Sequence, residues 1–574
     1  MNSTPKSLIK PDDIVYGLLD KPPFFTSLLL AIQQLFVILP YVVLVTVLAK
    51  AANASLSEAM SMISLSLIAM GVGALLQVIK KGPLGSGYLA AVCPMPNYLL
   101  PSLIAVKMGG LGLMAGMVCF SGLCQIGLGW FIKKLRFLFP NVLTGLVFCM
   151  IGIDMAELAL KQILNVQLDI HSIEYIKSLI CFGLALSLII IFNVWGRGLF
   201  RLLCSGLGLI IGAVIAYFLG LFTPDKMAQL HSASWFALPH FHLPAYHFSF
   251  DLILIFVIAS VASVLRGMGT ITTAQEINDA NWRRPDNSNL KRGLFADGLA
   301  ATFAGLVGTM GIGCTPSSLG VSKACGATSR RIAYFIVVLC FILALCPKLA
   351  ALFFALPSSV IAAGLIFTSC ILFIGGLRII TATQIDARKT FIVCIALFAG
   401  LSTELFPAFY QQFPTLLQPI VSSLLTFGTI TAFILNLIFR IGIKRSEHLV
   451  FDSANDEFEK DLKARVTKLG LRPAASDAIL TSFAKVAQLI IEGRHNKGPV
   501  KGTFSYDEVN FVISLYYEGS LVTMPSRKNY LPDDLDEENA FIEGINTLYK
   551  NFFPDRVVSH MENGIVTIRL QFAV

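Results

Sequence analysis

The chain has 574 residues, of which 55% are apolar and only 14% are charged. Charged residues make up about 25% of a typical soluble domain. Apolar runs of about 20 residues, the length that spans a bilayer, recur along this chain, and its mean hydropathy is +0.73. These values exclude a soluble globular protein and predict a membrane protein with many spans.

The net charge of +9 does not predict a nucleic-acid partner, because the basic residues are dispersed and form no basic stripe. The twelve cysteines include no Cys-x-x-Cys pair. We interpret them as small apolar residues in helix packing and expect no disulfide, metal or cofactor. The N-terminus is polar for more than twenty residues, which is not the pattern of a cleaved signal peptide.

Fourteen membrane segments follow the polar N-terminus. They are predicted at 25–48, 58–79, 86–105, 109–130, 138–158, 174–195, 199–221, 250–273, 294–311, 315–326, 331–347, 350–377, 390–408 and 416–440. We therefore expect a cytoplasmic N-terminus (1–24), a transporter domain (25–445) and a cytoplasmic α+β accessory domain (446–574), since an even number of spans returns the chain to the starting side.

Loops rich and poor in basic residues alternate along the chain, and this alternation predicts the orientation of the chain in the membrane. The outer loops hold few beyond Lys107, Lys161, Lys226 and Lys348. The inner loops hold many more: Lys80, Lys81, Lys133, Lys134, Arg136, Arg197, Arg201, Arg283, Arg284, Lys291, Arg292, Arg330, Arg331, Arg388, Lys389, Lys444 and Arg445. Cytoplasmic loops carry such an excess. The pattern predicts a multi-pass protein of the inner (plasma) membrane with both termini in the cytoplasm.

The third and tenth segments contain residues that break helices. The stretch Gly308–Gly326 holds five Gly and one Pro, and Lys81–Pro101 is similarly interrupted. Irregular backbone at membrane depth is tolerated only where it is buried in protein or lines a wet cavity. Interrupted segments in corresponding positions of two halves indicate a transporter's binding site. Their ordinal positions predict a 7+7 inverted repeat with a small-molecule substrate held between the two breaks.

The outer loop 222–248 holds four histidines, which raise the question of a metal site. Pro239 and Pro244 lie among His231, His240, His242 and His247, and no acidic residue is near. We interpret this stretch as an aromatic-rich interfacial loop rather than a metal site.

Several motifs in consistent order resemble the nucleobase–ascorbate transporters, also called the xanthine/uracil permeases. The motifs are YGLLDKPP (Tyr16–Pro23), GSGYLA (Gly85–Ala90), FADGL (Phe295–Leu299), SSLGV (Ser317–Val321) and LPSSVIAAG (Leu356–Gly364). The resemblance covers residues 14–440. It implies an all-α transporter of fourteen segments in core and gate domains, with two short strands in segments three and ten.

At the positions that bind substrate in that family, this chain has different residues. Where its members carry a Glu in the eighth segment, this chain has Arg266, in RGMG. Ser317 and Ser318 replace the acid or Gln and the Asn of the tenth segment, and Gln34 replaces a His of the first. The third-segment aromatic is kept as Tyr88. These residues and Thr270 are the predicted substrate-binding residues.

The arginine changes the chemistry of the predicted site. A carboxylate accepts hydrogen bonds from the N–H donors of a nucleobase. The guanidinium of Arg266 only donates hydrogen bonds and keeps its positive charge. It would prefer a carboxylate, an enolate or a deprotonated ring such as urate or ascorbate. A structural role for Arg266, pairing with an acid or capping carbonyls, stays open. The hydroxyls of Thr315, Ser317 and Ser318 beside a helix N-terminus share its preference for anionic or acceptor groups.

Cation coupling needs a different residue, because an arginine does not release a proton. Asp297, in the ninth segment, is the predicted coupling residue, since the family keeps a carboxylate there in many members. Asp154 and Glu157 lie near an outer end and are interpreted as interfacial. Coupling to a proton or to sodium, and uniport or anion exchange without either, all stay open.

The C-terminal residues predict helices at 453–469, 474–493 and 536–551. Strand pairs are predicted at 499–505 with 510–518 and at 555–561 with 564–572, the last pair joined by an Asn563–Gly564 turn. This order resembles the GHKL ATPase fold of anti-sigma-factor kinases. Neither Ala484–Gln488 nor Tyr517–Gly519 carries that family's catalytic acids, which implies a non-hydrolysing regulatory or dimerisation domain. A plain α+β accessory domain is the alternative.

Three functions agree with this sequence. The first is a secondary transporter of a nucleobase or related heterocycle such as xanthine, uracil or urate, in a homodimer among membrane lipids. The second is a transporter of small anions read by Arg266. The third is a membrane sensor that signals through the C-terminal domain. An enzyme is not expected, since no nucleophile–base set or metal quartet is visible.

Overall fold

The computed structural model describes residues 10–131, 141–164, 172–197, 199–222, 227, 234–239, 245–280, 285–381, 385–414, 421, 423–439, 445–451, 500–506, 510–519, 556–562 and 565–573. Two compact units divide the chain. The first contains Met1–Ile380 and Lys389–Phe433, and the second contains Thr381–Arg388 and Ile434–Val574.

The first half of the transporter sequence is helical except for one short strand. Its elements are α1 (Phe24–Ile38), a 3₁₀ turn (Leu39–Tyr41), α2 (Val42–Ala51), α3 (Leu56–Val78), β1 (Val92–Pro94), α4 (Pro96–Trp130), α5 (Asn141–Ile163), α6 (Ile173–Val194), α7 (Leu199–Leu202) and α8 (Cys204–Phe218). The backbone inside α4 is non-helical at Gly109 and Gly110, which divides this element into two helices where the predicted third and fourth segments meet.

The second half repeats this pattern of helices around one short strand. Its elements are a 3₁₀ turn (Phe250–Leu252), α9 (Ile253–Ile277), α10 (Asn287–Leu306), β2 (Ile312–Cys314), α11 (Pro316–Ala324), α12 (Arg330–Ala344), α13 (Pro347–Ala355), α14 (Ser358–Thr381), α15 (Ala387–Leu405), α16 (Pro407–Tyr410) and α17 (Leu424–Ile438). Each of the fourteen predicted segments overlaps at least one of these helices.

Seven described helical stretches are long and apolar enough to cross a membrane. They are Phe24–Ala51, Leu56–Val78, Pro96–Trp130, Val142–Ile163, Ile173–Val194, Phe250–Ile277 and Ser358–Thr381. The pair Arg330–Ala344 and Pro347–Ala355 is bent by 78° and makes an eighth stretch when its two helices are taken as one broken span. The chain is therefore a multi-pass, mostly helical membrane protein.

Two predicted segments differ from the structure in their continuity. The twelfth, predicted as one span at 350–377, is divided at Leu356 and Pro357, because Pro357 lacks an N–H and disfavours helical backbone in the residue before it. The first segment is interrupted by the 3₁₀ turn that contains Pro40. Neither break was predicted.

The helices α4 and α10 approach closely through small residues. A methyl group at Gly122 would overlap the backbone nitrogen of Thr302, and one at Gly305 would lie 2.5 Å from the backbone nitrogen of Cys119. Small residues at such contacts let helix backbones come together in membranes. This contact places Asp297 of α10 against the broken segments.

The described strands of the second unit form one antiparallel sheet. Its members are β3 (Arg445–Phe451), β4 (Val500–Tyr506), β5 (Asn510–Glu518), β6 (Arg556–Glu562) and β7 (Ile565–Ala573), in the order β3-β4-β5-β7-β6. The four predicted strands are confirmed within one residue, whereas β3 was not predicted. Phe504, Ile513, Leu515 and Ile568 are buried, as one face of alternating strands requires. The predicted helices, the turn at 563–564 and three of the four histidines lie outside the described residues.

We expect the variant Gly122→Ala to lower the free energy of unfolding by about 1–3 kcal/mol, because the added methyl group is forced against α10. Gly127→Ala is the matched control on the same helix, since a methyl group there meets nothing within 4 Å. It should be neutral or stabilising, because alanine favours helix over glycine by roughly 0.5–1 kcal/mol. Thermal unfolding of both purified variants measures the difference. Equal losses in the two would contradict the assigned contact.

Candidate functional site

The two broken segments meet in a short antiparallel crossing of β1 and β2. The paired residues are Val92 with Cys314, Cys93 with Gly313, and Pro94 with Ile312. The pairing continues on both sides, where the Thr315 amide donates to the Ala91 carbonyl at 3.1 Å and the Met95 amide donates to the Gly311 carbonyl at 3.0 Å. The predicted strands in segments three and ten, and their meeting, are confirmed.

Each strand is followed by a helix that begins with proline. Pro96 opens α4 and Pro316 opens α11, each at a position where a missing N–H costs no hydrogen bond. The residues before them are extended, with φ −99° and ψ 128° at Met95 and φ −113° and ψ 136° at Thr315. Proline imposes this conformation on its predecessor. The two prolines thus fix where each strand ends and each helix begins.

Asp297 holds the crossing from one side. This carboxylate is 2% exposed. It accepts a 2.8 Å hydrogen bond from the Cys314 backbone amide, and its oxygens also accept from the side-chain amides of Gln77 and Gln125, each at 3.3 Å. Three donors from three elements therefore fix the carboxylate, which anchors β2 to α3 and α4.

Polar contacts continue outward from Asp297 in both directions. The Ser86 hydroxyl donates to Gln77 Oε1 at 3.1 Å, and the Tyr98 hydroxyl donates to Gln125 Oε1 at 3.3 Å. Tyr98 in turn accepts from the Ser121 hydroxyl at 3.2 Å. Since buried polar groups are costly unless paired, this network specifies how the helices around the crossing fit together.

Arg266 lies at the other side of the crossing and is 8% exposed. Its Nη1 donates to the thioether sulfur of Met95 at 3.0 Å, a weak acceptor for a charged group. Among the described residues, no carboxylate oxygen lies within 4.0 Å of its guanidinium nitrogens. A buried charge normally has a hydrogen-bonding or charged partner, and the only partner of the Arg266 side chain among the described residues is this thioether.

A cavity of about 250 Å³ opens beside α11 and the first segment. Its polar lining comes from Tyr41, Asn193, Arg201, Ser205, Ser317 and Thr368. The apolar lining includes Val37, Leu209, Val321 and Phe367. A concave apolar surface with a few polar groups is the usual form of a small-molecule site.

Ser317 is the predicted binding residue that lines this cavity. Gln34 lies behind it, donating to the Ser318 carbonyl at 3.1 Å and to the Ser322 hydroxyl at 2.9 Å, so it joins α1 to α11. The Ser318 hydroxyl accepts the Ala91 amide at 3.0 Å. Gln34 and Ser318 therefore hold the cavity wall.

The other two predicted binding residues have local partners. The Thr270 hydroxyl donates to the Arg266 carbonyl of its own helix at 3.0 Å. Tyr88 is buried in an apolar cluster with Ile14, Ala274 and Leu319. Arg266, Thr270 and Tyr88 are not among the residues that line the cavity.

Sequence reasoning missed Tyr41, which lines the cavity with Ser317. It also missed the other polar lining residues, Asn193, Arg201, Ser205 and Thr368. The signal for Tyr41 was present, because Pro40 interrupts the first apolar run and sets Tyr41 in a 3₁₀ turn.

Comparison with known proteins agrees with this geometry. The sequence model of the xanthine/uracil permeases, described as the permease family, matches residues 25–409. The chain belongs to this family. It is therefore a transporter rather than an enzyme.

Individual relatives are similar over most of the family member's length. The chain is 26% identical to the xanthine permease XanQ of Escherichia coli K12, over 78% of this chain and 98% of that protein. It is 25% identical to the nucleobase transporter PlUacP of Paenibacillus larvae, over 67% and 88%. The solved murine Slc26a9 anion transporter, at 14% identity over 75% and 71% with a TM-score of 0.50, shares the fold.

We expect Asp297→Ala to lower the free energy of unfolding by about 1–3 kcal/mol, because the buried Cys314 amide and the Gln125 side-chain amide lose the acceptor that the carboxylate provides. Asp12→Ala, at an exposed acid of the N-terminal segment, should leave stability unchanged. Thermal unfolding compares the two. An unaffected Asp297→Ala protein would mean that the carboxylate does not anchor the crossing.

Proposed function

We propose that the chain is a secondary transporter of a nucleobase or related heterocycle, such as xanthine, uracil or urate. The observation that carries the proposal is the β1–β2 crossing, with a small cavity beside it, in a chain of the permease family. The names of XanQ and PlUacP support the substrate class. The cavity, about 250 Å³, is slightly smaller than the range of roughly 300–1,000 Å³ for ligand pockets, which suits a small ring system.

Within that class, the charge of the site favours an anionic or acceptor-rich substrate. Arg201 is the charged residue of the cavity lining, which also offers the hydroxyls of Tyr41 and Ser317. Arg266 lies outside that lining and has only a thioether partner among the described residues. A guanidinium pairs well with a carboxylate, an enolate or a deprotonated ring. Urate-like or xanthine-like anions fit this donor set better than a neutral base whose N–H groups need an acceptor.

The remaining topology belongs to the same proposal. Fourteen spans in a 7+7 inverted repeat would place the two interrupted segments face to face near the midplane. Both termini would lie in the cytoplasm, with the protein in the inner membrane as a homodimer. Residues 446–574 would form a regulatory α+β domain.

Coupling of solute transport to a cation stays a prediction, and Asp297 is the predicted coupling residue. The three hydrogen bonds to that carboxylate give it a second role as an anchor. Asp297→Asn separates the roles because it keeps the size of the side chain. A folded Asp297→Asn protein that exchanges solute yet no longer accumulates it would support coupling there, whereas unchanged accumulation would assign Asp297 to the anchor alone.

Uptake by proteoliposomes tests the substrate class. We expect labelled xanthine or urate to enter vesicles that contain the protein, and unlabelled heterocycles to compete. Labelled uracil and ascorbate are tested in the same assay. Uracil detects transport of a pyrimidine, and ascorbate detects transport of an enolate that contains no nitrogen. Uptake of none of the four by folded protein would contradict the proposed substrate class.

Arg266→Glu tests whether the Arg266 side chain binds the substrate. We expect this variant to lose uptake of an anionic substrate, and Arg266→Lys to bind it about 10–100-fold more weakly, because a charge-assisted hydrogen bond contributes about 1.5–3 kcal/mol. Lys107→Glu, an exposed charge reversal, is the control. Substrate affinity measured by competition gives the ratio. Unchanged affinity in Arg266→Glu would remove Arg266 from the site.

A further inference from the structure

Three carboxyl groups of α5 and α15 lie close together, away from the cavity at Tyr41 and Ser317. One oxygen each of Asp154, Glu157 and Glu404 lies within 4.8 Å of the others. Lys161 contacts both glutamates, with its Nζ 3.7 Å from Glu404 and closer to Glu157. If all three acids were ionised, three negative charges would share one positive charge. Like charges at this distance disfavour ionisation, and a proton on one of the acids relieves the repulsion.

The surroundings of the three acids select Asp154 as the one that holds a proton. The side chains of Glu157 and Glu404 are 27% and 30% exposed, and both have Lys161 as a partner. Asp154 is 3% exposed, so the interfacial position predicted for it is wrong. Neither of its carboxyl oxygens has a hydrogen-bond partner in the part of the chain that the structure describes. A buried carboxylate without a donor is costly, and protonation removes this cost.

The small cavity beside Asp154 also favours the neutral form of this side chain. Its volume is about 10 Å³, which holds at most about one water molecule, so a hydrated ion does not fit. Apart from Asp154 and Asn97, the described residues that line it are apolar: Pro96, Leu99, Leu100, Ile151, Met155, Leu158 and Leu425. This lining supplies no counter-charge for a carboxylate. A proton bound to the carboxyl group needs neither space nor a counter-charge.

Asn97 supplies the acceptor that a protonated Asp154 needs. The Asn97 side-chain nitrogen donates to the Ala259 carbonyl at 3.0 Å and to the Ser263 hydroxyl at 3.1 Å. A backbone carbonyl only accepts, so these contacts fix which side of the amide carries the nitrogen. The Asn97 Oδ1 atom has no partner among the described residues. Two unpartnered acceptors thus line one cavity, and a single proton on Asp154 turns one of them into a donor for the other.

We propose that Asp154 is a proton-binding site, with Asn97 as the acceptor for the bound proton. Glu157 and Glu404, both partly exposed and close to Asp154, give a proton a route between solvent and the site. Neither Asp154 nor Asn97 is among the residues that line the cavity at Tyr41 and Ser317. The site is therefore separate from the proposed solute cavity.

The position of Asp154 links its proton to the crossing. Pro96 and Asn97 form the start of α4, directly after β1, and both line the cavity that adjoins Asp154. A movement of this turn away from α5 would open the cavity to water, and a hydrated Asp154 would release its proton. Since binding linkage is reciprocal, a bound proton would in turn favour the closed position of this turn. A role in coupling rests on the proposed transport function, whereas proton binding itself does not.

The pH dependence of thermal unfolding tests the proton site on the purified full chain. Asp154→Asn keeps the size of the side chain and a donor for Asn97, but it has no proton to lose. Because Asp is ionised in the unfolded chain above about pH 5, the parent protein must release the proton when it unfolds, and so it loses stability as the pH rises. We expect the Tm of Asp154→Asn minus that of the parent to increase by roughly 1–3 °C per pH unit from about pH 5 upward.

Further variants show whether the proton lies on Asp154. Glu276→Gln, at an exposed acid on α9, should keep the pH dependence of the parent protein. Asp154→Ser, which retains a hydroxyl donor, takes the place of Asp154→Asn if that variant does not fold. A Tm difference that stays constant with pH would overturn the site. So would a pH dependence that Glu404→Gln abolishes and Asp154→Asn retains, because the proton would then lie on Glu404.

Solute uptake under an imposed pH gradient separates this inference from the proposed function. We expect Asp154→Asn to exchange solute but to lose the accumulation that the gradient drives, which would support coupling through Asp154. Unchanged accumulation in this variant, together with the expected Tm difference, would overturn the coupling role while proton binding and transport stand. Absence of all uptake by the parent protein, with the Tm difference intact, would contradict the proposed function instead.

Discussion

The crossing of β1 and β2 depends on one constraint: backbone amides and carbonyls at membrane depth need partners. Glycine and proline prevent helix in both stretches, so their backbone groups cannot be satisfied within one segment. They are satisfied between segments instead, by the paired strands and by the Asp297 carboxylate that receives the Cys314 amide. The same pairing that satisfies the backbone brings the first turns of α4 and α11 together, and so it creates a polar region at the crossing.

Sequence reasoning located the crossing because its signal is local. Helix-breaking residues inside apolar runs are visible in Lys81–Pro101 and Gly308–Gly326 without any structure. The same rule should have marked Pro40 and Pro357, where a single proline divides the first and twelfth segments. Those breaks were missed because one proline in a long apolar run is compatible with a kinked span. The strand β3 was missed for another reason, since it begins at Arg445, at the predicted boundary between the last span and the accessory domain.

The binding residues were less accessible to sequence reasoning, because a position in a motif does not show which way a side chain points. Ser317 and Ser318 are adjacent, yet one lines the cavity and the other accepts a backbone amide behind it. Tyr88 occupies the position of the family's aromatic but packs among apolar side chains. Tyr41 comes to the cavity from a different segment, a long-range contact that no local pattern in the sequence contains.

Two contacts join the end of β1 and the first turn of α4 to α9. Arg266 of α9 donates to the sulfur of Met95, and the Asn97 side-chain amide donates to the Ala259 carbonyl and the Ser263 hydroxyl of the same helix. Ser263 and Arg266 lie one turn apart, so α9 holds the joint between strand and helix at two adjacent points. A solute that moved Arg266 would therefore act directly on this joint, because packed interfaces change between discrete arrangements rather than deforming continuously.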